Sequence, residues 1–155
     1  MSNLQNIMLF SLFAGFILLE FALGKARGMN ASRGDNILDM LCVAVLAGFT
    51  QPFIFWLVQQ AGLAWAPEYQ GAWSGLPWYA MAGILLIGDD MTQYLWHRIS
   101  HSPLLWPLHR AHHSAQYMSA RIIYRNNFFY YLAMPGLWIS GVLIYLGFAD
   151  VYLVY

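Results

Sequence analysis

Charge is what this chain has least of. Seven basic and seven acidic residues make up 9% of its 155 positions, against roughly 25% in an ordinary soluble domain. Hydrophobic residues fill 60% of it. Such a chain cannot cover a water-facing surface with polar side chains, so lipid is its natural solvent. The formal net charge is zero, which removes the electrostatic case for nucleic acid as a partner. Cysteine is down to one, Cys42, and this excludes an internal disulfide and a thiolate-held iron–sulfur cluster. Set in an apolar run, Cys42 reads as a small packed hydrophobe. There is no repeat and no low-complexity segment. Histidine is missing everywhere but in one window, where all five lie between His97 and His113.

What is abundant is apolar length. Leu4 to Leu23 matches the ~20 residues of a membrane-crossing helix. It lacks the basic start of a cleaved signal peptide, although Ala22 to Gly24 would suit a cleavage site. Lys25 to Asn36 reads as a polar loop, with Asp35 or Asn36 capping the next helix. Ile37 to Val58 is a second span. A kink is expected at Pro52, whose freed carbonyl needs a polar neighbour such as Thr50. Gln59 to Leu76, with its glycines and tryptophans, reads as a connection at the membrane interface or dipping into it.

Pro77 suits the first turn of a third helix. Its purely apolar part, Trp78 to Gly88, covers only about 16 Å at ~1.5 Å per residue. The helix must therefore run on through Asp89 and Asp90 to His101, with both acids facing the bundle interior or water. Pro103 and Pro107 end it and start another near Pro107, which carries His109, His112 and His113. Tyr124 to Asn127 looks interfacial, and a last apolar stretch follows with Pro135 early and Asp150 late. Spans near 4–23, 37–58, 77–101 and 128–149 define an all-α fold class, a single membrane domain of four transmembrane helices over residues 1–155. The chain stops at Val151 to Tyr155 inside an apolar run with no basic anchor, as a piece of a longer protein would.

All seven basic residues fall in two segments, Lys25, Arg27 and Arg33 in the first loop and Arg98, Arg110, Arg121 and Arg125 around the histidines. By the positive-inside rule both segments are cytoplasmic, which sets the histidines at the cytoplasmic face.

The histidine spacing suggests one site. His97 and His101 are i,i+4 on one helix, and His109, His112 and His113 are i, i+3, i+4 on the next, so the two sets can face each other. Imidazole suits zinc, copper, iron and nickel. The other readings are interfacial histidines satisfied by water and lipid phosphates, haem held by a histidine pair, and a non-enzymatic metal-binding or transport path. Haem needs two ligands and leaves three histidines unexplained.

Two runs carry a resemblance. Asp90-x3-Tyr94-x2-His97-Arg98-x2-His101 and Leu105-Trp106-x2-His109-Arg110-x-His112-His113-Ser114 resemble the first two histidine boxes of the fatty acid hydroxylase superfamily, which includes the sterol desaturases. The match covers residues 89–125. It implies a membrane non-haem di-iron enzyme that hydroxylates or desaturates a lipid such as a fatty acyl chain or sterol, using dioxygen and external electrons. Iron is the implied metal, because dioxygen activation needs a redox-active ion with open positions; zinc could occupy the same ligands without that chemistry. Electrons would come from a cytochrome b5, a ferredoxin or a reductase, since the chain has no flavin, haem or cluster motif.

Carried over by resemblance, His97, His101, His109, His112 and His113 are the metal ligands. Asp90 stands two helical turns before His97 and could orient a ligand ring, or pair with Arg98, Arg110 or Arg125 instead. Tyr94, Trp106 and Ser114 match as packing or ligand-supporting groups, and Arg98 and Arg110 as headgroup anchors. There are two departures. The family has a third histidine box, and no histidine follows His113. Where many members have Arg-His-His or Arg-x-His-Pro, this chain has Arg125-Asn126-Asn127, which removes one ligand. Five imidazoles under-ligate a dinuclear site, so the chain alone is expected to be inactive or to hold one metal.

Overall fold

The computed structural model describes residues 31–117 and 120–152, with part of the stretch from 11 to 24. The first predicted span, Leu4 to Leu23, lies largely outside the described residues. Every described residue in a regular element is helical.

Helices α1 (Arg33–Val45) and α2 (Gln51–Trp65) form one continuous rod through a π-helical turn, Leu46–Thr50. Its cap is Ser32, whose hydroxyl oxygen accepts from the Asp35 amide at 3.0 Å, rather than Asp35 or Asn36. Asp35 returns the contact by accepting from the Ser32 hydroxyl at 2.7 Å, so both partners of the cap are used. The break expected at Pro52 is absorbed just before it. Pro52 sits in the first turn of α2, and the π turn widens the ladder where its missing N–H would leave a gap. Thr50 does donate to a carbonyl, that of Val45 at 3.1 Å. The helix runs to Trp65, beyond the expected end at Val58.

Helix α3 (Trp78–Ser100) starts on Pro77 and ends with His101 as its cap. The predicted second histidine helix is only one turn long, α4 (Trp106–His109), and His112–Ser114 form a 3-10 turn instead. A single turn cannot repay its nucleation cost. The Ser114 hydroxyl also folds back onto the Ala111 carbonyl at 2.7 Å, competing with the α ladder. A second 3-10 turn, Ala120–Tyr124, leads to α5 (Phe128–Ala133), capped by the Asn127 side chain. The last predicted span is broken. Met134 is extended, Pro135 restarts the chain as α6 (Pro135–Leu143), and a π turn, Ile144–Phe148, kinked at the non-helical Gly147, leads into α7 (Ala149–Tyr152).

Among the described residues, two helical runs are long and apolar enough to cross a membrane, Arg33–Trp65 and Pro135–Tyr152. Only 11% of the first run's most apolar window is buried inside the protein, so the rest faces outward as a lipid-exposed surface would. The 23-residue α3, which carries Asp89 and Asp90 midway, is not among them. Helix α2 packs on α6 where Gly141 meets Val58 and Phe55. Met81 and Leu85 of α3 pack on Phe148, and a second cluster joins Leu46, Tyr130, Tyr131 and Met134 beneath the histidines.

The connection from residue 66 to 76 docks on the second π turn. The amides of Gly71 and Trp73 donate to the carbonyls of Tyr145 and Leu146 at 3.0 and 2.8 Å. Gly147 makes this approach possible: its φ is +118°, and a Cβ there would lie 2.8 Å from the Ser74 nitrogen.

A buried ion pair ties α1 to the segment after the histidines. Arg125 Nε donates to Asp39 Oδ1 at 2.6 Å and Nη2 to Asp35 Oδ1 at 2.9 Å. Tyr117 donates to Asp39 and accepts from Arg125. Burial, joined by the bond to Asp39, pushes the Tyr117 hydroxyl up to about 12, so it stays a donor. Arg125 and Asp39 are 1% and 0% exposed. At that depth, removing one partner strands the other, at a cost of about 3–5 kcal/mol. Asp39→Ala should therefore lower the thermal unfolding midpoint in detergent sharply, and Asp39→Asn, which keeps an acceptor, should lower it less. Equal midpoints for both variants and the parent would show that the pair contributes nothing.

Candidate metal centre

The last turn of α3 and the short α4 bring two i,i+4 histidine pairs face to face. His97 and His101 Nε2 atoms are 3.1 Å apart, and so are those of His109 and His113. The ring centroids of His97 and His109 are 4.6 Å apart across the two elements. The turn through Ser102 and Pro103 makes this possible: the Ser102 carbonyl accepts from the amides of Leu105 and Trp106, reversing the chain in four residues. One ligand nitrogen from each of His97, His101, His109 and His113 lies within 4.8 Å of all the others. His112 also packs in the cluster, its ring 5.2 Å from that of His109.

These rings are held from behind. Tyr130 stacks on His109 at 5.0 Å and Trp106 on His113 at 5.5 Å. His109 is buried at 1% exposure. Burial pushes its pKa down to about 4, and the neighbouring imidazoles add to this against the opposing Asn126 hydrogen bond. His113 is lowered too, by burial and then by His112 and His101. Both rings are thereby kept neutral, the form that ligates a metal. The spacing fits as well. Two nitrogens each ~2.0–2.1 Å from one ion, at tetrahedral or right angles, stand about 3 Å apart. The donor set fits a transition metal that prefers imidazole.

The other expected site residues fall elsewhere. Asp90 is exposed on α3, about 10 Å of helical rise before His97, and no hydrogen bond joins it to a histidine. Nor does it pair with Arg125, which is taken by Asp39 and Asp35. Tyr94 accepts from Arg98 Nη1 at 2.9 Å, and Ser114 is spent on the Ala111 carbonyl. Trp106 is the expected supporting group that does meet a ligand ring, and the groups that hydrogen-bond the rings are Asn126, whose Oδ1 is 3.1 Å from His109 Nδ1, and the Ile122 carbonyl, 2.8 Å from His112 Nδ1. Asn126 stands out in the sequence only as a missing histidine, and a backbone carbonyl leaves no signal there at all.

Against the cluster lies a cavity of about 780 Å³. His97, His101, His109 and His112 line one side, Leu46, Met134, Leu137 and Tyr130 form apolar walls, and Gln51 and Tyr152 line it as well.

A helical fold with an apolar surface and four convergent imidazoles beside a largely apolar cavity defines a class, helical proteins with a histidine cluster able to hold a metal and helices long enough to cross a membrane. Residues 82–155, which hold every histidine, match the family model described as fatty acid hydroxylase, so that part of the chain is similar to the fatty acid hydroxylase superfamily. No curated protein and no solved structure matches the chain.

Removal of a ligand should exceed the ~10–100-fold affinity loss typical of a supporting group. His97→Ala and His101→Ala are expected to emerge from purification without metal while keeping their helical circular dichroism. His112→Ala, outside the four-nitrogen set, should retain more. Full metal content in either of the first two variants, measured by mass spectrometry, would refute the ligand set.

Proposed function

We propose that this chain carries the metal centre and substrate cavity of a membrane iron oxygenase that hydroxylates or desaturates a lipid. The observation that carries the reading is the shared wall: three of the four histidines that can hold metal, His97, His101 and His109, form one side of a cavity together with His112, and its other walls are largely apolar. An acyl chain or sterol ring would lose its hydration there and lie against the site, the arrangement that C–H chemistry requires. Iron, when bound, supplies the redox chemistry with dioxygen that zinc lacks.

The protein's own part is positional. His97, His101, His109 and His113 hold the ion, with His112 beside them as the fifth imidazole of a di-iron arrangement. Tyr130 and Trp106 keep two of these rings from rotating, and Leu46, Met134 and Leu137 exclude water around the substrate. Four spans, with the histidine face toward the cytoplasm, would let lipid enter from the bilayer and a cytochrome b5, ferredoxin or reductase dock from the aqueous side.

The test is the full chain in lipid nanodiscs, supplied with ferrous iron, dioxygen and a reducing partner, with lipid products read by mass spectrometry. Iron- and dioxygen-dependent hydroxylated or desaturated lipid is expected. Tight zinc or copper with no turnover under any donor would overturn the proposal, and a Soret band would replace it with haem. Leu137→Trp, which fills the cavity, should cut turnover at least about tenfold, the loss expected when a reacting group is misplaced, with metal content unchanged. Unchanged turnover would place the substrate elsewhere.

A further inference from the structure

The segment from Ile122 to Asn126 touches two histidines, and it touches both on the same nitrogen. The Ile122 carbonyl meets His112 Nδ1 at 2.8 Å, and Asn126 Oδ1 meets His109 Nδ1 at 3.1 Å. A carbonyl oxygen can only accept, so His112 carries its proton on Nδ1. For His109 the same conclusion depends on which way the Asn126 amide points, and a second contact decides that. Asn126 Nδ2 donates to the Ile123 carbonyl at 3.3 Å. Turning the amide over would set its oxygen against that carbonyl, two acceptors face to face. His109 therefore also carries its proton on Nδ1 and presents a bare Nε2. That Nε2 is the atom 3.1 Å from His113 Nε2.

Asn126 and His109 are 8% and 1% exposed, so solvent cannot easily take over the contact. The segment is also held from its other side. Arg125 is locked to Asp39 and Asp35, and Arg121 Nη1 donates to Asn36 at 2.8 Å. Three residues of α1, Asp35, Asn36 and Asp39, thus fix the backbone from which Asn126 and the Ile122 carbonyl reach the rings.

We propose that Asn126 is a positioning residue of the metal centre, locking His109 in the tautomer that aims Nε2 at the ion, and that the buried Asp39–Arg125 pair holds it in register. The inference rests on the reading of the histidine cluster as a metal site. A ligating imidazole ordinarily donates its other N–H to a carboxylate or carbonyl, and losing that acceptor costs about 10–100-fold in metal affinity.

Titration of the purified full chain with cobalt(II), followed by its visible absorption band, tests this. Asn126→Leu, of similar size but without an acceptor, should bind about 10–100-fold more weakly. Asn126→Asp, which restores an acceptor and makes the ring more basic, should bind at least as tightly as the parent with the same band position. Asn127→Ala, which removes only the cap of α5, should leave the affinity unchanged. If the parent binds cobalt and Asn126→Leu binds it equally well, the positioning role is wrong while the metal site stands. If the parent shows no cobalt band, the metal reading falls and takes this inference with it. Should Asn126→Leu fail to fold, Asn126→Asp decides alone, since weaker binding by that variant refutes the role.

Discussion

The structure depends on one charged contact that an apolar chain has every reason to avoid. Arg125 lies among helices with almost no solvent exposure, and two of the chain's seven acids, Asp35 and Asp39, are committed to it. Isolated, such a guanidinium would be very costly to bury; paired with two carboxylates and hydrogen-bonded through Nε and Nη2, it roughly breaks even. Its value lies in specificity. An apolar helix can slide against its neighbours with little change in energy, because every lateral contact resembles the next. A guanidinium that must meet two carboxylates and a phenol admits one register of α1 against the segment that follows the histidines.

That register matters because the histidine cluster has little secondary structure of its own. His97 and His101 sit on a long helix, but His109 ends a single turn and His112 and His113 ride on a 3-10 turn. Short turns do not hold side chains to the tolerance a metal demands. Here the precision comes from outside, by stacking on Tyr130 and Trp106 and by hydrogen bonds from a strut braced on α1. The cavity shares this scaffold, since Leu46 of the first π turn and Met134 and Leu137 around the α5–α6 break form its walls.

The histidine boxes were the most legible part of the sequence, because i,i+4 spacing fixes a helical face without any tertiary knowledge. The helical character, the reversal at Pro103 and Pro107 and the convergence of the rings followed from local rules. What was not legible came from contacts across the chain. Asp39 reads as an unremarkable polar residue in a span, and only its meeting with Arg125, 86 positions later, gives it a role. Asp90 looked like the natural group to orient a ligand, yet it is exposed, and an asparagine that the family pattern marks as a lost ligand stands behind His109 instead. The two π turns were equally hidden. Pro52 advertised a kink, but whether a helix bends or widens at proline depends on what packs beside it.

The docking of the 66–76 connection on the second π turn has a consequence for how the protein can vary. In lipid, a carbonyl released by a helix defect has no water to turn to. The carbonyls of Tyr145 and Leu146 are answered by amides of a connection distant in sequence. That connection is therefore part of the helix's backbone accounting, a patch on its ladder and not a free link between spans. Surface loops ordinarily tolerate insertion and drift; this one is bound to keep its length and its close approach at Gly147, and it should change as slowly as a buried helix does.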